Sequence, residues 1–272
     1  MSSFGAISAA KLARLVGTPK CPDIIDVRTD EDFAADPRII PCAVRRAFSS
    51  SSSWAAAFAG RTAVVVCQRG AKLSQGVAAW LRLGGCDAVV LEGGFAGWKD
   101  AGLALVMEAK LPPRGADGRT VWVTRARPKI DRIACPWLIR RFIDRDAAFL
   151  FVASADVMAV AERFAATPFD VEGVTWSHRG ALCTFDVMIE DLGLASEPLT
   201  KLATIVRAAD TSALDLAPEA AGLLAISLGL SRMHTDDLAQ LDAGMLVYDA
   251  LFRWCRDASD ETHNWPTNKP KN

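Results

Sequence analysis

The stretch Ala63-Val-Val-Val-Cys67-Gln-Arg-Gly-Ala-Lys72-Leu-Ser-Gln-Gly-Val-Ala-Ala-Trp80 predicts a strand, a tight loop and a helix in succession. Its unbroken β-branched run before Cys67 is typical of a strand buried on both faces of a parallel sheet. Beyond the loop, apolar residues recur at helical spacing and predict a helix from Leu73 to Leu83. Cys67 therefore stands at the end of the strand, where the loop begins.

A loop of this kind favours an anion. Its successive backbone N–H groups point inward, and the N-terminus of the following helix adds partial positive charge. Arg69 and Lys72 add positive side chains, and Gly70 supplies the backbone freedom that the turn needs. A thiolate at Cys67 can attack a sulfane donor and hold the sulfur as a persulfide. The alternative is that Cys67 is only the buried end of a strand, since free cysteine is often buried.

Further strands are predicted on both sides of this stretch, at Asp23 to Val27 and Ala88 to Leu91, with helical patterns between them. This alternation predicts an α/β domain with a parallel sheet flanked by helices. Proline and glycine, which interrupt helices and strands, are concentrated with polar residues between Leu111 and Gly118. This predicts a domain boundary near residue 110.

The second half predicts a mainly helical domain with a few strands. The strands are Thr120 to Thr124 and Ala148 to Ala153. Pro136 is expected in the first turn of a helix, and Ser196 and Thr235 are expected to cap two later ones. Helical spacing is seen in three sets: Leu182, Phe185, Ile189 and Leu192; Leu199, Leu202, Val206 and Ala209; and Leu238, Leu241, Met245, Tyr248, Phe252 and Cys255.

Composition narrows the function classes. In 272 residues, 31 lysines and arginines nearly balance 32 aspartates and glutamates, so no global field favours nucleic acid or a membrane surface. The seven cysteines form no CxxC pair, which argues against a zinc ribbon or a disulfide framework. The start of the chain lacks a leader pattern, and no run of eighteen apolar residues occurs. We expect a soluble, cytoplasmic protein without a cofactor.

Arginines concentrate between Arg125 and Arg145. Arg125 and Arg132, with His178 nearby, form a candidate oxyanion pocket for chromate or sulfate, because guanidinium groups suit a tetrahedral dianion. The alternative is that these arginines only form surface ion pairs with Asp131, Asp144 or Asp146.

Cys183, Asp186 and Glu190 share one face of a predicted helix and are weak metal candidates. A solvent-facing stripe is the alternative, because none of the spacings is a recognised ligand set.

The first part resembles the rhodanese family over residues 1 to about 108. The resemblance implies that Cys67 carries the persulfide, that the loop Gln68, Arg69, Gly70, Ala71 and Lys72 binds it, and that Asp26 and Arg28 support the loop. Cys42 and Leu73 depart from the family, which commonly has a glycine and a small hydroxyl residue there. Three segments carry the resemblance: Asp23 to Arg28 with Glu31, Phe33 and Ile40 to Ala43; Cys67 to Lys72; and Leu91 to Lys99.

Cysteine phosphatases use a similar loop, with an arginine six positions after the nucleophile and often a histidine before it. Those positions are Leu73 and Val66 here. Without the bidentate arginine a phosphate loses its main clamp, so sulfur transfer is favoured over phosphate ester hydrolysis.

The stretch from Arg125 to Arg256 resembles the C-terminal domain of the chromate resistance protein family. Some members of that family carry a DNA-binding domain ahead of this one; a rhodanese-like domain takes that place here, so DNA regulation is not expected. The matching phrases are Lys129 to Asp144, His178 with Cys183 to Asp186, Ile205 to Asp210, Ala217 to Leu223 and Tyr248 to Trp254.

Together these patterns predict a sulfurtransferase domain at 1–109, a linker at 110–119, a chromate-resistance-like domain at 120–258 and a mobile tail at 259–272. The predicted partners are a small-molecule sulfur donor, a thiol or thiophilic acceptor, and chromate or sulfate, with no nucleic acid and no membrane. The alternative function is a non-enzymatic oxyanion or redox sensor that signals to a partner.

Overall fold

The computed structural model describes residues 5–261, so residues 262–272 of the predicted tail lie outside it. The strands are β1 Ala6–Ile7, β2 Asp23–Asp26, β3 Arg38–Ile39, β4 Ala43–Arg45, β5 Thr62–Val66, β6 Asp87–Leu91, β7 Val106–Met107, β8 Val121–Arg125, β9 Ala148–Val152 and β10 Thr167–Pro168. The helices are α1 Ala9–Ala13, α2 Asp30–Ala35, α3 Ser51–Trp54, α4 Lys72–Leu83, α5 Gly94–Asp100, α6 Asp131–Phe142, α7 Val157–Arg163, α8 Thr184–Asp191, α9 Glu197–Asp210, α10 Ala220–Met233 and α11 Asp237–Asp257.

The first part is built on a parallel sheet of five strands in the order β1-β6-β5-β2-β4. Strand β5 lies at its centre, with Val66 paired to Asp26 on one side and Val65 to Val90 on the other. Val64 and Val66 pack into one apolar cluster and Val65 and Cys67 into another. The sheet is therefore covered on both faces, and the predicted α/β architecture is confirmed.

The second part contains a small parallel sheet, β10-β8-β9, and helices α6 to α11. It is mainly helical with a few strands, as the sequence predicts. Helix α6 is its central element, since nearly every residue from Ile133 to Ile139 is buried. Its partly exposed residues are Arg132, Arg140 and Arg141. Pro136 lies in the second turn of the helix, whereas the sequence predicts it in the first.

At two helix starts, the observed capping differs from the capping that the sequence predicts. Helix α11 is capped by Asp236, whose carboxylate accepts a hydrogen bond from the Ala239 N–H at 2.7 Å, and not by Thr235. Ser196 occupies the cap position of α9, but its side chain makes no capping hydrogen bond. Adjacent candidates share the same local pattern, so only the backbone geometry decides which one caps.

Across residues 5–261, no helix combines the length and the apolar composition that a membrane span requires.

The two parts share one apolar core. A Cβ on Gly17 would stand 2.4 Å from the Phe142 ring and 2.9 Å from that of Phe252. The Cys42 N–H donates to the Phe142 carbonyl at 2.8 Å. Cys42 has a left-handed φ of 65°, which is the physical reason why glycine suits this position better.

Gly17→Ala should destabilise the protein more than Gly60→Ala. Both glycines have left-handed φ, at +79° and +72°, but Gly60 has open space around it. We expect about 1 kcal/mol for the backbone conformation at either site and a further ~1–3 kcal/mol at Gly17 for crowding of the two rings. Denaturant unfolding of both variants measures the difference. Equal losses would mean that Phe142 and Phe252 move aside freely.

Candidate functional site

Cys67 follows directly after β5, at the carboxyl edge of the parallel sheet, and its side chain is buried. The Ala71 N–H donates to its Sγ at 3.3 Å, and Ser74 Oγ lies 3.1 Å from the same sulfur. Ser74 is the third residue of α4, so the helix start brings both groups to the sulfur. The Ser74 hydroxyl also lies 3.0 Å from the Ala71 carbonyl, to which it donates, and it can donate to the sulfur instead when Cys67 is a thiolate. The sulfur therefore sits among donors that favour an anion.

The loop is held by close backbone packing against the segment after β6. A Cβ on Gly94 would stand 2.2 Å from the Cys67 carbonyl oxygen and 2.4 Å from the Gly70 nitrogen. Gly94 and Gly70 both have left-handed φ, at +60° and +68°. The Phe95 N–H donates to the Cys67 carbonyl at 2.9 Å. Side chains at either glycine would push the loop off this segment.

Asp26 and Arg28 form a buried ion pair at 2.7 Å beneath this packing. The Arg28 guanidinium lies 3.7 Å from the centroid of the Phe95 ring and donates to the carbonyls of Asp36 and Arg38. Because Phe95 holds the Cys67 carbonyl, the pair contacts the loop through one intervening residue. The supporting role that the family resemblance implies for Asp26 and Arg28 stays a prediction.

The pKa of Cys67 is lowered. Burial alone raises it, but hydrogen bonds from the Ser74 hydroxyl and from the backbone N–H groups of Ser74, Ala71 and Arg69 outweigh the burial. The side chains of Arg69 and Lys72 are exposed, so solvent screens their charges. Hydrogen bonds rather than side-chain charge thus favour the thiolate. Sequence reasoning missed Ser74, because it looked for the small hydroxyl residue at position 73.

Arg125, Arg132 and His178 lie together in the second part, around Asp170. The Asp170 carboxylate pairs with Arg125 at 3.0 Å and with Arg132 at 3.3 Å, and His178 Nε2 lies 3.6 Å from it. Asp131 and Asp210 also face this nitrogen, at 3.5 and 3.2 Å.

The ion-pair alternative expected Asp131, Asp144 or Asp146 as partners of the two arginines, but Asp170 takes that place. Asp170 is buried, while the side chains of Arg125 and Arg132 are 41% and 18% exposed, so both pairs are half-buried.

Three carboxylates face His178. A hydrogen bond to Asp131 raises the pKa of His178 to about 9. Burial raises the pKa of Asp170, and it raises that of Asp210 to about 6. Two arginines and a histidine are thus offset by three aspartates, and oxyanion binding at this position stays a prediction.

The three weak metal candidates occupy different environments. Cys183 is buried at the cap position of α8, where its N–H donates to the Asp186 carboxylate at 3.1 Å. Asp186 also pairs with Arg207 at 2.8 Å, and Glu190 is exposed. Burial raises the pKa of Cys183, so its thiolate is disfavoured.

The parallel sheet with a thiolate cradle at the carboxyl end of its central strand defines a rhodanese-like domain. Comparison of the sequence with known families agrees: residues 8–101 match the rhodanese-like domain and residues 122–255 match the family described as ChrB, C-terminal domain. The chain therefore carries a rhodanese-like domain followed by a ChrB C-terminal domain.

Known proteins resemble parts of the chain. Protein ChrB from Cupriavidus metallidurans is 36% identical over 132 residues, which cover 48% of this chain and 39% of that protein. The chain thus spans well under half the length of this relative. Among solved structures, a protein from Staphylococcus saprophyticus has 29% sequence identity to this chain. The match covers 36% of this chain and 97% of the Staphylococcus protein, with a TM-score of 0.32. A rhodanese-like domain protein from Staphylococcus aureus is 30% identical, covering 35% and 91% with a TM-score of 0.32.

Ser74→Ala should slow alkylation of Cys67 near neutral pH by about tenfold, because a hydrogen bond to a charged group is lost. Arg69→Ala is the matched control: its backbone N–H stays, so the rate should change little. Cys135 and Cys183 should react far more slowly, since burial raises the pKa of both thiols. Peptide-level iodoacetamide rates measure all four effects. A larger drop in the alkylation rate of Cys67 in Arg69→Ala than in Ser74→Ala would mean that side-chain charge, and not hydrogen bonding, favours the thiolate.

Proposed function

We propose that the chain is a rhodanese-type sulfurtransferase that carries sulfur on Cys67, coupled to a second domain that responds to an oxyanion such as chromate. The Cys67 thiolate attacks the outer sulfur of thiosulfate, the S–S bond of the donor breaks, and sulfite leaves with the electron pair. The persulfide then gives its terminal sulfur to an acceptor thiolate, which restores Cys67. This chemistry needs a reducing compartment, for which we propose the cytoplasm.

The observation that carries this proposal is the set of donors at the sulfur. The Ala71 N–H donates to Sγ and the Ser74 hydroxyl lies 3.1 Å from it, and both groups can stabilise the thiolate that attacks the donor. The side chains of Lys72 and Gln75, in the first turn of α4, are exposed. Neither residue at the two phosphatase-specific positions, Val66 and Leu73, can clamp a phosphate.

The oxyanion part of the proposal has two candidate positions. One is the predicted set Arg125, Arg132 and His178, with its three carboxylates. The other is a cleft of about 570 Å³ between the two parts, lined by seven arginines and four aspartates. We define it as the interdomain cleft. Most of these arginines pair with aspartates, but Arg46 forms no ion pair with the described residues and is exposed. A guanidinium group without a carboxylate partner suits an oxyanion, so we place the oxyanion there and retain the predicted pocket as the alternative.

Cys67→Ser should abolish persulfide formation from thiosulfate while the protein stays folded. Cys86→Ser is the matched control, because Cys86 packs in the same apolar cluster but has a pKa raised by burial. Mass spectrometry after thiosulfate treatment should show one added sulfur atom in wild type and in Cys86→Ser only.

The same preparations should be offered p-nitrophenyl phosphate, which we expect them not to hydrolyse. A wild type that never gains sulfur would favour the non-enzymatic sensor; phosphate release that depends on Cys67 would favour a phosphatase.

Sulfate, a non-oxidising analogue of chromate, should bind the full-length chain, and Arg46→Ala or Arg145→Ala should weaken it by about tenfold. These two arginines line the interdomain cleft from opposite parts of the chain. Arg125→Ala and Arg132→Ala are the matched controls, with little effect expected. Calorimetric titration at fixed ionic strength measures binding. Loss of sulfate binding only in Arg125→Ala and Arg132→Ala would place the oxyanion site at the predicted pocket instead.

A further inference from the structure

Three carboxylates surround His178, and the single proton on its Nε2 cannot form a hydrogen bond to all of them. Oxygen atoms of Asp131, Asp170 and Asp210 lie 3.5, 3.6 and 3.2 Å from His178 Nε2. One imidazole nitrogen can donate one hydrogen bond at a time. At least two of these three contacts therefore lack a proton, and like charges face one another across the histidine.

Within residues 5–261, one group of three or more histidine, cysteine, aspartate or glutamate side chains brings its ligand atoms within 4.8 Å of one another: Asp131, Asp170 and His178. Atoms bound to a common first-row ion at about 2.0–2.2 Å stand roughly 3–3.5 Å apart. The distances to His178 Nε2 are close to this spacing, so a small movement would bring the atoms around one ion.

An independent observation points the same way. The Asp131 side chain is only 1% exposed, and its Oδ1 has no hydrogen-bond partner. Its Oδ2 accepts from the Thr184 N–H and lies 3.5 Å from His178 Nε2, so this carboxylate is held at the cluster while its Oδ1 has no partner. A buried oxygen without a partner is costly, and a bound cation would remove that cost.

The other two carboxylates each present one oxygen to His178. Asp170 uses Oδ2 for Arg125 and Arg132, while Oδ1 faces His178 and accepts from the Thr184 hydroxyl. Asp210 is the last residue of α9, where the helix dipole disfavours negative charge. The His178 side chain is 42% exposed, which leaves one side of the cluster open to water.

We infer that Asp131, Asp170 and His178 bind one divalent first-row cation of the Mn²⁺ type, with Asp210 beside them as a further carboxylate. Two carboxylates and one imidazole suit such an ion, and oxygen-rich sites favour Mn²⁺ over thiophilic metals. The seven cysteines of the chain would compete for Zn²⁺, so Mn²⁺ is the better probe.

The site is tested on the full-length chain after treatment with a chelator, by titrating Mn²⁺ and recording the electron paramagnetic resonance signal of the free ion. Wild type should remove one equivalent. His178→Ala and Asp170→Asn should weaken binding by at least about tenfold. His234→Ala is the matched control, because His234 is the other histidine of the described residues and lies outside the cluster.

Circular dichroism checks that each variant folds; His178 lies in an exposed loop, so its variant carries the test if Asp170→Asn unfolds. Three results would overturn the inference: a wild type that leaves the free Mn²⁺ signal undiminished, full binding by folded His178→Ala, or an equal loss in His234→Ala. A wild type that does not bind Mn²⁺ would identify the cluster as a salt bridge between protonated His178 and the carboxylates.

Discussion

The burial of helix α6 is the constraint on which the arrangement of the second part and its contact with the first depend. Its first residue, Asp131, lies in the carboxylate cluster, and its last, Phe142, lies against Gly17 of the rhodanese-like domain. Between them Trp137 packs among the rings of Phe142, Phe185, Tyr248 and Phe252. A helix that is buried over most of its length resists a shift at one end that would disturb the other, because protein interiors are close-packed. The cluster and the domain contact are therefore parts of one rigid element.

The sulfur site depends on a different constraint, the close approach of two backbone segments. Gly70 and Gly94 let the loop after β5 lie directly against the start of α5, and the Phe95 N–H fixes the Cys67 carbonyl. With the backbone held, the N–H groups of the loop have no freedom to turn away from the sulfur. Preorganised donors of this kind stabilise an anion without reorganisation at the moment of reaction. Charged side chains on the exposed surface of the loop add little, because water screens them.

A nearly neutral chain thus carries two regions in which charged groups are concentrated. Around His178, the carboxylates of Asp131, Asp170 and Asp210 face one imidazole, and Arg125 and Arg132 pair with the other oxygen of Asp170. In the interdomain cleft, seven arginines and four aspartates line the walls, and most of these arginines form ion pairs with aspartates. Both regions are formed by residues distant in sequence. The net charge of the chain indicates neither region. The energy of interaction between two charges depends on the distance between them, and net charge contains no distances.

The sequence by itself determined the rhodanese-like architecture and the position of Cys67. Strand, loop and helix follow one another within twenty residues, so the chain's own connectivity places the sulfur at the helix start. It also suggested Arg125, Arg132 and His178 as neighbours, because arginines concentrate at the end of a strand and in the helix that follows it.

Only the tertiary structure decided what surrounds those residues. Asp131, Asp170 and Asp210 come from the start of one helix, a loop and the end of another helix, and no local spacing relates them. Their convergence on His178 depends on how the helices pack, which periodicity does not specify. The same holds for Ser74, whose distance to Cys67 is set by the turn of the loop, and for the interdomain cleft, whose lining comes from both parts of the chain. Contacts between residues far apart in the chain are fixed by packing, and packing is a property of the whole core.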